Sequence, residues 1–99
     1  MNPSDLINEA DKLVAYFSFP ECSVCKSLRP KVEGLVEKFP DFEYAYIDIH
    51  KHPALGGQFL VFAAPTIIYF ENGKELMRLS RFFSISRCDQ SLRLNMHNR

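Results

Sequence analysis

The sequence predicts one α/β domain, with a four-stranded mixed sheet that carries helices on both faces. Short apolar runs of strand length alternate with segments whose apolar residues recur at helical spacing. Asn72-Gly73, a pair that favours tight hairpin turns, separates the last two predicted strands. The 99 residues, 46% of them hydrophobic, suffice for one core. We therefore assign residues 1–99 to a single domain.

The first half of the chain is predicted to form two helices and two strands. A short helix spans residues 2–11, where Pro3 suits a first helical position. The continuous apolar run 13–19 is typical of a strand buried on both faces. Helical spacing of apolar residues predicts a second helix over 23–39. The alternating, aromatic-rich segment 42–49 then predicts the second strand.

The second half is predicted to contain an antiparallel hairpin and a closing helix. Residues 52–62 form an irregular or short helical segment, and residues 66–70 and 76–82 form the two hairpin strands. The pattern becomes helical again over 84–95. The element order is therefore α-β-α-β-α-β-β-α, in which a βαβ unit precedes the hairpin.

The charge balance and the apolar pattern exclude several classes of partner. Twelve basic and twelve acidic residues cancel to zero net charge, so we expect neither nucleic acid nor a membrane surface as a partner. The start of the chain is polar and lacks the pattern of a signal peptide. The longest apolar run, 59–70, is broken by Pro65 and is too short for a membrane span. We expect a cytoplasmic location.

The cysteine pair Cys22-Ser-Val-Cys25 lies where the first predicted strand gives way to the long helix. Unpaired N–H groups and the dipole of a helix start favour an anion, so we expect a lowered pKa for the Cys22 thiol. Two thiols three residues apart can close a small disulfide ring. A reactive thiolate with such a neighbour is the minimal arrangement for thiol–disulfide exchange.

Other interpretations of this pair are a structural site, a retired redox site kept for binding, or half of a zinc site. Zinc needs four ligands. The other candidates are the third cysteine and the histidines, Cys88, His50, His52 and His97. A set of Cys22, Cys25, His50 and His52 would have Cys2His2 composition. We prefer the redox interpretation, with no metal and no bound cofactor.

Further residues stand at separations typical of one family. They are Lys26, Pro30 five residues after the second cysteine, Ile47-Asp48, Pro53, Ala64-Pro65-Thr66 and Asn72-Gly73. With these motifs, residues 13–97 resemble the thioredoxin family. A CxxC alone is weak evidence, but a CxxC with this later proline and a Pro-Thr pair roughly 40 residues further on is specific.

The resemblance implies a fold, an activity and site residues. Cys22 would be the attacking thiolate and Cys25 the more buried resolving thiol. Pro65 would follow a cis bond and lie against the disulfide, and the cis-proline loop of Ala64, Pro65 and Thr66 would bind an extended substrate chain through its backbone. The implied substrates are protein disulfides, and a reductase or another thiol donor would regenerate the dithiol.

The sequence departs from the family pattern around the cysteines. Tyr16 stands where thioredoxins carry a buried Asp, and a neutral Tyr is a poor general base. Glu21 replaces an aromatic residue and is expected to raise the pKa of Cys22 by repulsion. Arg81 aligns with a family glycine and would stabilise the thiolate. Lys26 adds a weaker positive field.

Two expectations follow from the remaining departures. The few residues before Leu13 leave no room for the family's first strand, so the strand over 42–49 would have an open edge. Such an edge favours a homodimer. The replacement of Gly-Pro by Ser23-Val24 and of the buried Asp by Tyr16 supports an alternative function, a protein-binding module with vestigial cysteines.

Overall fold

The structure, a computed structural model, describes residues 2–80 and 83–96. Its elements are α1 (Pro3–Glu9), β1 (Lys12–Ser18), α2 (Ser23–Val36), β2 (Glu43–Asp48), α3 (Pro53–Gln58), β3 (Thr66–Glu71), β4 (Lys74–Ser80) and α4 (Ile85–Met96). This order confirms the predicted α/β architecture.

The four strands form one mixed sheet in the order β2-β1-β3-β4. β1 pairs in parallel with β2 and antiparallel with β3, so that Tyr16 lies opposite Tyr46 and Phe17 opposite Thr66. β3 and β4 form the antiparallel hairpin. The carboxyl ends of β1 and β2 and the amino end of β3 therefore lie at the same end of the sheet. Segments far apart in the chain meet at this end of the sheet.

The central strand β1 separates two hydrophobic clusters, and every one of its residues is buried. Val14 and Tyr16 face the cluster that α2 and α4 cover, whereas Leu13, Ala15 and Phe17 face the cluster that includes residues of α1 and α3. Successive side chains of a strand point to opposite faces. A strand without a polar face therefore belongs between two helical layers, as the continuous apolar run predicts.

The element boundaries differ from the predicted ones by a few residues. α2 ends at Val36 rather than at Phe39, because Lys38 and Phe39 donate to the carbonyls of Leu35 and Val36 in tight turns. β4 starts at Lys74, directly after the turn in which Asn72 and Gly73 have positive φ. α1 ends at Glu9, and only residues 53–58 of the segment 52–62 are helical.

β2 occupies one edge of the sheet, as expected for the strand over 42–49. Within residues 2–80 and 83–96, no strand precedes α1. The outer side of β2 therefore has no strand paired with it in the described part of the chain. Pairing of two copies through this edge stays a prediction.

Replacing buried Leu13 by alanine is expected to lower the free energy of unfolding by about 2–5 kcal/mol. Leu13 is fully buried in the centre of the sheet, so its truncation removes apolar contacts and leaves a cavity. The same change at Leu94, which is 68% exposed on α4, should alter stability by less than about 0.5 kcal/mol. Denaturant unfolding measures both values. Equal losses at the two positions would contradict the described core.

Candidate active site

Cys22 and Cys25 stand at the amino end of α2 and are joined by a disulfide bond. Cys22 is the N-cap residue, with an extended backbone, and its Sγ accepts a hydrogen bond from the Cys25 N–H at 3.2 Å. Cys22 is partly exposed, whereas Cys25 is 1% exposed. A sulfur at an N-cap lies where helix N–H groups favour negative charge. The first sulfur is thus accessible and the second shielded.

A groove of about 380 Å³ opens beside the exposed cysteine. It is lined by the segment around the pair and by the loop before β3, through Phe19, Glu21, Cys22, Ser23, Val24, Ala64 and Pro65. The Ala64–Pro65 peptide bond is cis. Because β3 begins at the end of the sheet where β1 finishes, the fold brings Pro65 next to Cys22. The candidate site is this groove with the sulfur at its wall.

The loop before Pro65 is held by side-chain hydrogen bonds to its backbone. Thr66 Oγ1 donates to the Ala63 carbonyl at 2.6 Å. Arg78 donates to the carbonyls of Phe59 at 2.8 Å and Leu60 at 3.3 Å. Leu60 has a φ of 55°, a left-handed conformation that costs energy for a residue with a Cβ. These bonds support an irregular loop that sequence patterns left undefined.

A bulge in β4 places Glu75 beside Arg78, so that the guanidinium that contacts this loop is also paired with a carboxylate. Tyr69 lies opposite Met77 and Phe70 opposite Glu75, so one extra residue of β4 is inserted between these pairs. Residues three apart on a regular strand face opposite sides, but the extra residue brings Glu75 and Arg78 to the same side. Their side chains form two hydrogen bonds, at 2.6 and 2.7 Å. This ion pair lowers the pKa of Glu75.

Large apolar side chains are exposed near the groove. Val24, which lines the groove, is 60% exposed, and Leu60 and Phe62 in the loop before Pro65 are 64% and 84% exposed. Exposed apolar residues clustered in one region often mark a protein interaction surface.

Glu21 does not face Cys22 as an isolated charge. Its Oε1 lies 3.2 Å from Nδ1 of His50, whose ring stacks on Phe19 at a centroid distance of 5.0 Å. His50 follows β2, the parallel neighbour of β1, so both residues reach the same edge. The sequence offered no local signal for this contact, and the effect of Glu21 on the Cys22 thiol stays a prediction.

The chain matches the family model Thioredoxin over residues 3–87. It belongs to the thioredoxin family. Thioredoxin-like protein YdfQ of Bacillus subtilis is 30% identical over 78 residues, which span 79% of this chain and 70% of that protein. Thioredoxin of Chlamydia trachomatis is 34% identical over 77 residues, 78% of this chain and 74% of that protein.

Solved structures agree with this membership. Thioredoxin 1 from Thermosipho africanus superposes with a TM-score of 0.79 at 34% identity, and the match covers 88% of this chain and 99% of that one. A mutant thioredoxin from Halobacterium salinarum gives a TM-score of 0.82 at 26% identity, over 91% and 79% of the two chains. The predicted resemblance is therefore confirmed.

Tyr16 lies directly beneath the cysteine pair of this thioredoxin-family chain. Its side chain is fully buried, and its hydroxyl donates to the Cys25 carbonyl at 2.8 Å. Burial, and after it the neighbouring Tyr46, raises the pKa of Tyr16 to about 12. The phenol therefore stays neutral near pH 7. It contacts the backbone of the buried cysteine through a hydrogen bond that the sequence did not predict.

The remaining predicted site residues are Lys26, Thr66 and Arg81. Lys26 is exposed on α2, and Thr66 is buried under the loop that it holds. Arg81 falls outside the described residues, so its expected effect on the thiolate stays a prediction. No helix of the described chain is long and apolar enough to cross a membrane.

The zinc alternative involves residues that the fold distributes over several elements. His50 lies beside Glu21, His52 is the N-cap residue of α3, and Cys88 is buried on α4. His97 falls outside the described residues. Among the residues that are described, no three His, Cys, Asp or Glu side chains are grouped so that they could hold a metal ion.

Replacing Arg78 by methionine is expected to lower the free energy of unfolding by about 1–3 kcal/mol, because the partly buried Phe59 carbonyl and the exposed Leu60 carbonyl lose a charged donor. Methionine keeps the chain length but cannot donate to the Phe59 and Leu60 carbonyls, and it leaves Glu75 unpaired. Arg93→Met is the matched control. Its ion pair with Asp89 is largely exposed, so a loss under about 0.5 kcal/mol is expected. Equal losses in denaturant unfolding would contradict this role of Arg78.

Cys88 is expected to resist alkylation in the native, reduced protein, whereas Cys22 reacts. Cys88 is 1% exposed, and burial raises the pKa of its thiol to about 11, so the reactive thiolate is scarce at neutral pH. Mass spectrometry after iodoacetamide treatment locates the label. A native Cys88→Ala variant should take up the same amount of iodoacetamide label as the unchanged protein. Native labelling of Cys88 as fast as that of Cys22 would contradict the described burial.

The raised pKa of Cys88 also predicts the direction in which stability changes with pH. An unfolded thiol loses its proton near its ordinary pKa of about 9, whereas the folded one keeps it up to about 11. The folded state binds more protons in this window, so stability falls as pH rises through it. The fall should be shallower in Cys88→Ala.

Proposed function

We propose that this protein is a thiol–disulfide oxidoreductase that exchanges its Cys22–Cys25 dithiol and disulfide with protein disulfides. One observation carries the proposal. The accessible sulfur of Cys22 caps a helix and is bonded to a shielded Cys25 at the wall of an open groove. Membership of a family of disulfide oxidoreductases supports the same activity.

Reduction of a substrate proceeds in two exchanges. The Cys22 thiolate attacks one sulfur of the substrate disulfide, whose S–S bond breaks and releases a substrate thiolate that takes up a proton. Cys25 then loses its proton and attacks the Cys22 sulfur of the mixed disulfide. The second substrate thiolate leaves and is protonated. In total the substrate gains two electrons and two protons, and the Cys22–Cys25 disulfide forms.

An extended polypeptide suits the groove as a substrate. Ala64 and Pro65 form one wall, so the backbone beside them is available to an extended chain near the reacting sulfur. Val24, which lines the groove, and Phe62, three residues before Pro65, are exposed and can supply apolar contact area. Protein disulfides near an apolar residue are therefore the proposed substrate class.

The cellular role and location are part of the same proposal. Oxidised Cys22–Cys25 needs a reductase or another thiol donor to return to the dithiol, which would serve cell redox homeostasis. We place this cycle in the cytoplasm. A chain that has both a redox pair and the unpaired thiol of Cys88 suits a reducing compartment. The match spans 70% of the Bacillus relative but 56% of thioredoxin H2 of Arabidopsis thaliana, so activities of those whole proteins are not transferred.

A redox titration in glutathione buffers tests the proposal directly. Thiol alkylation and intact mass should show one reversible two-thiol transition, assigned to Cys22 and Cys25. Cys22→Ser should abolish reduction of a protein disulfide, since no exposed nucleophile remains. Cys25→Ser should retain the first exchange and accumulate mixed disulfides through Cys22.

Cys88→Ser is the control for these variants, because it removes a buried thiol outside the groove. It should keep the transition and the reducing activity. A protein that titrates no thiol pair, or that keeps its activity in Cys22→Ser, would refute the proposed oxidoreductase.

A further inference from the structure

The buried hydroxyl of Tyr16 is an anchor between the first turn of α2 and the central strand. It donates at 2.8 Å to the Cys25 carbonyl, nine residues later in the chain. The ring is held in turn. It stacks on Tyr46 at a centroid distance of 6.0 Å, and the Arg29 guanidinium lies 3.6 Å from the Tyr46 ring centre. The donor therefore belongs to a packed group and not to a mobile side chain.

The first turn of α2 has special need of such an anchor. Pro30 lies inside the helix and has no N–H, so it cannot donate to the carbonyl of Lys26 one turn earlier. The cysteine-bearing turn is therefore joined to the rest of α2 by fewer helical hydrogen bonds than usual. Tyr16 supplies a bond from the sheet at this place.

We propose that Tyr16 is a positioning residue that shifts the Cys22–Cys25 equilibrium toward the disulfide by fixing the Cys25 backbone to β1. This inference rests on the proposed exchange activity. In the disulfide form the covalent ring already restrains Cys25. In the dithiol form that restraint is absent, and the Tyr16 bond keeps the second sulfur within reach of the first. Restraint of the dithiol lowers the entropy lost on ring closure.

The proposed role of Tyr16 involves no proton transfer. The hydroxyl donates to a backbone carbonyl, and the raised pKa of about 12 keeps it neutral near pH 7. Tyr16 thus acts through the position of Cys25. Removal of the hydroxyl should change the equilibrium between dithiol and disulfide and leave the pH profile of the exchange rate unchanged.

The test is a midpoint titration of Tyr16→Phe against glutathione, in which the dithiol and oxidised glutathione give the protein disulfide and two reduced glutathiones. The variant keeps the ring and loses the donor. We expect the equilibrium constant for disulfide formation to fall about three- to tenfold, the effect of one neutral hydrogen bond. A tenfold change corresponds to a midpoint higher by about 30 mV for this two-electron couple.

Tyr69→Phe is the matched control. Tyr69 is also fully buried and donates to a cysteine backbone carbonyl, that of Cys88 on α4, at 3.4 Å. Removal of the Tyr69 hydroxyl should lower stability. The equilibrium constant for disulfide formation should stay within about twofold of the value for the unchanged protein. An unshifted Tyr16→Phe midpoint, or equal shifts in both variants, overturns the positioning role.

A second measurement keeps the inference testable if Tyr16→Phe does not fold when reduced. Fluorination of the Tyr16 ring beside the hydroxyl makes the phenol a stronger donor without removing it, so the midpoint should move in the opposite direction, toward the disulfide. A midpoint that stays fixed or moves toward the dithiol overturns the inference. Absence of any two-thiol transition in the unchanged protein would instead refute the proposed function itself.

Discussion

The site depends on the burial of β1 between two layers of helices. All seven residues of this strand are buried, so its position is set by packing on both faces. Its carboxyl end fixes where α2 can begin, and its register with β2 and β3 fixes which segments arrive beside that point. The cysteine pair thus occupies a position that the core determines. The short connection between Ser18 and Ser23 leaves the sulfurs little freedom to lie elsewhere.

Local sequence patterns were sufficient for the architecture and for the cysteine pair. The apolar run before Pro20, the helical spacing after Cys25 and the Asn72-Gly73 turn are each signals within about one element's length. They predicted the element order, and the CxxC with its later prolines indicated the family. Boundaries such as the end of α2 differed by a few residues because tight turns at the helix end still satisfy backbone groups.

The polar contacts around the site could not be predicted in the same way. Glu21 was interpreted from its neighbour in sequence, but the imidazole 3.2 Å from its carboxylate belongs to His50, which follows a different strand. Tyr16 was interpreted only as the absence of a carboxylate, whereas its hydroxyl holds the Cys25 carbonyl. These contacts depend on strand pairing, which brings His50 beside Glu21, and on the packing of α2 against the sheet, which brings Cys25 beside Tyr16. A sequence without aligned relatives does not specify which distant residues become neighbours.

The two walls of the groove are held by anchors of different physical character. The turn that carries Cys22 and Cys25 depends on a neutral hydrogen bond from Tyr16 in the core, where water does not compete and a lost donor is costly. The Pro65 wall depends on Arg78, a charged donor that is half-buried and shares its charge with Glu75 across a bulge. Salt weakens an interaction of the second kind more than the first. Added salt should therefore weaken the anchor of the loop before Pro65 more than the anchor of the cysteine-bearing turn. For the proposed exchange reaction this division places the firmer anchor at the sulfurs, which must meet in a fixed geometry.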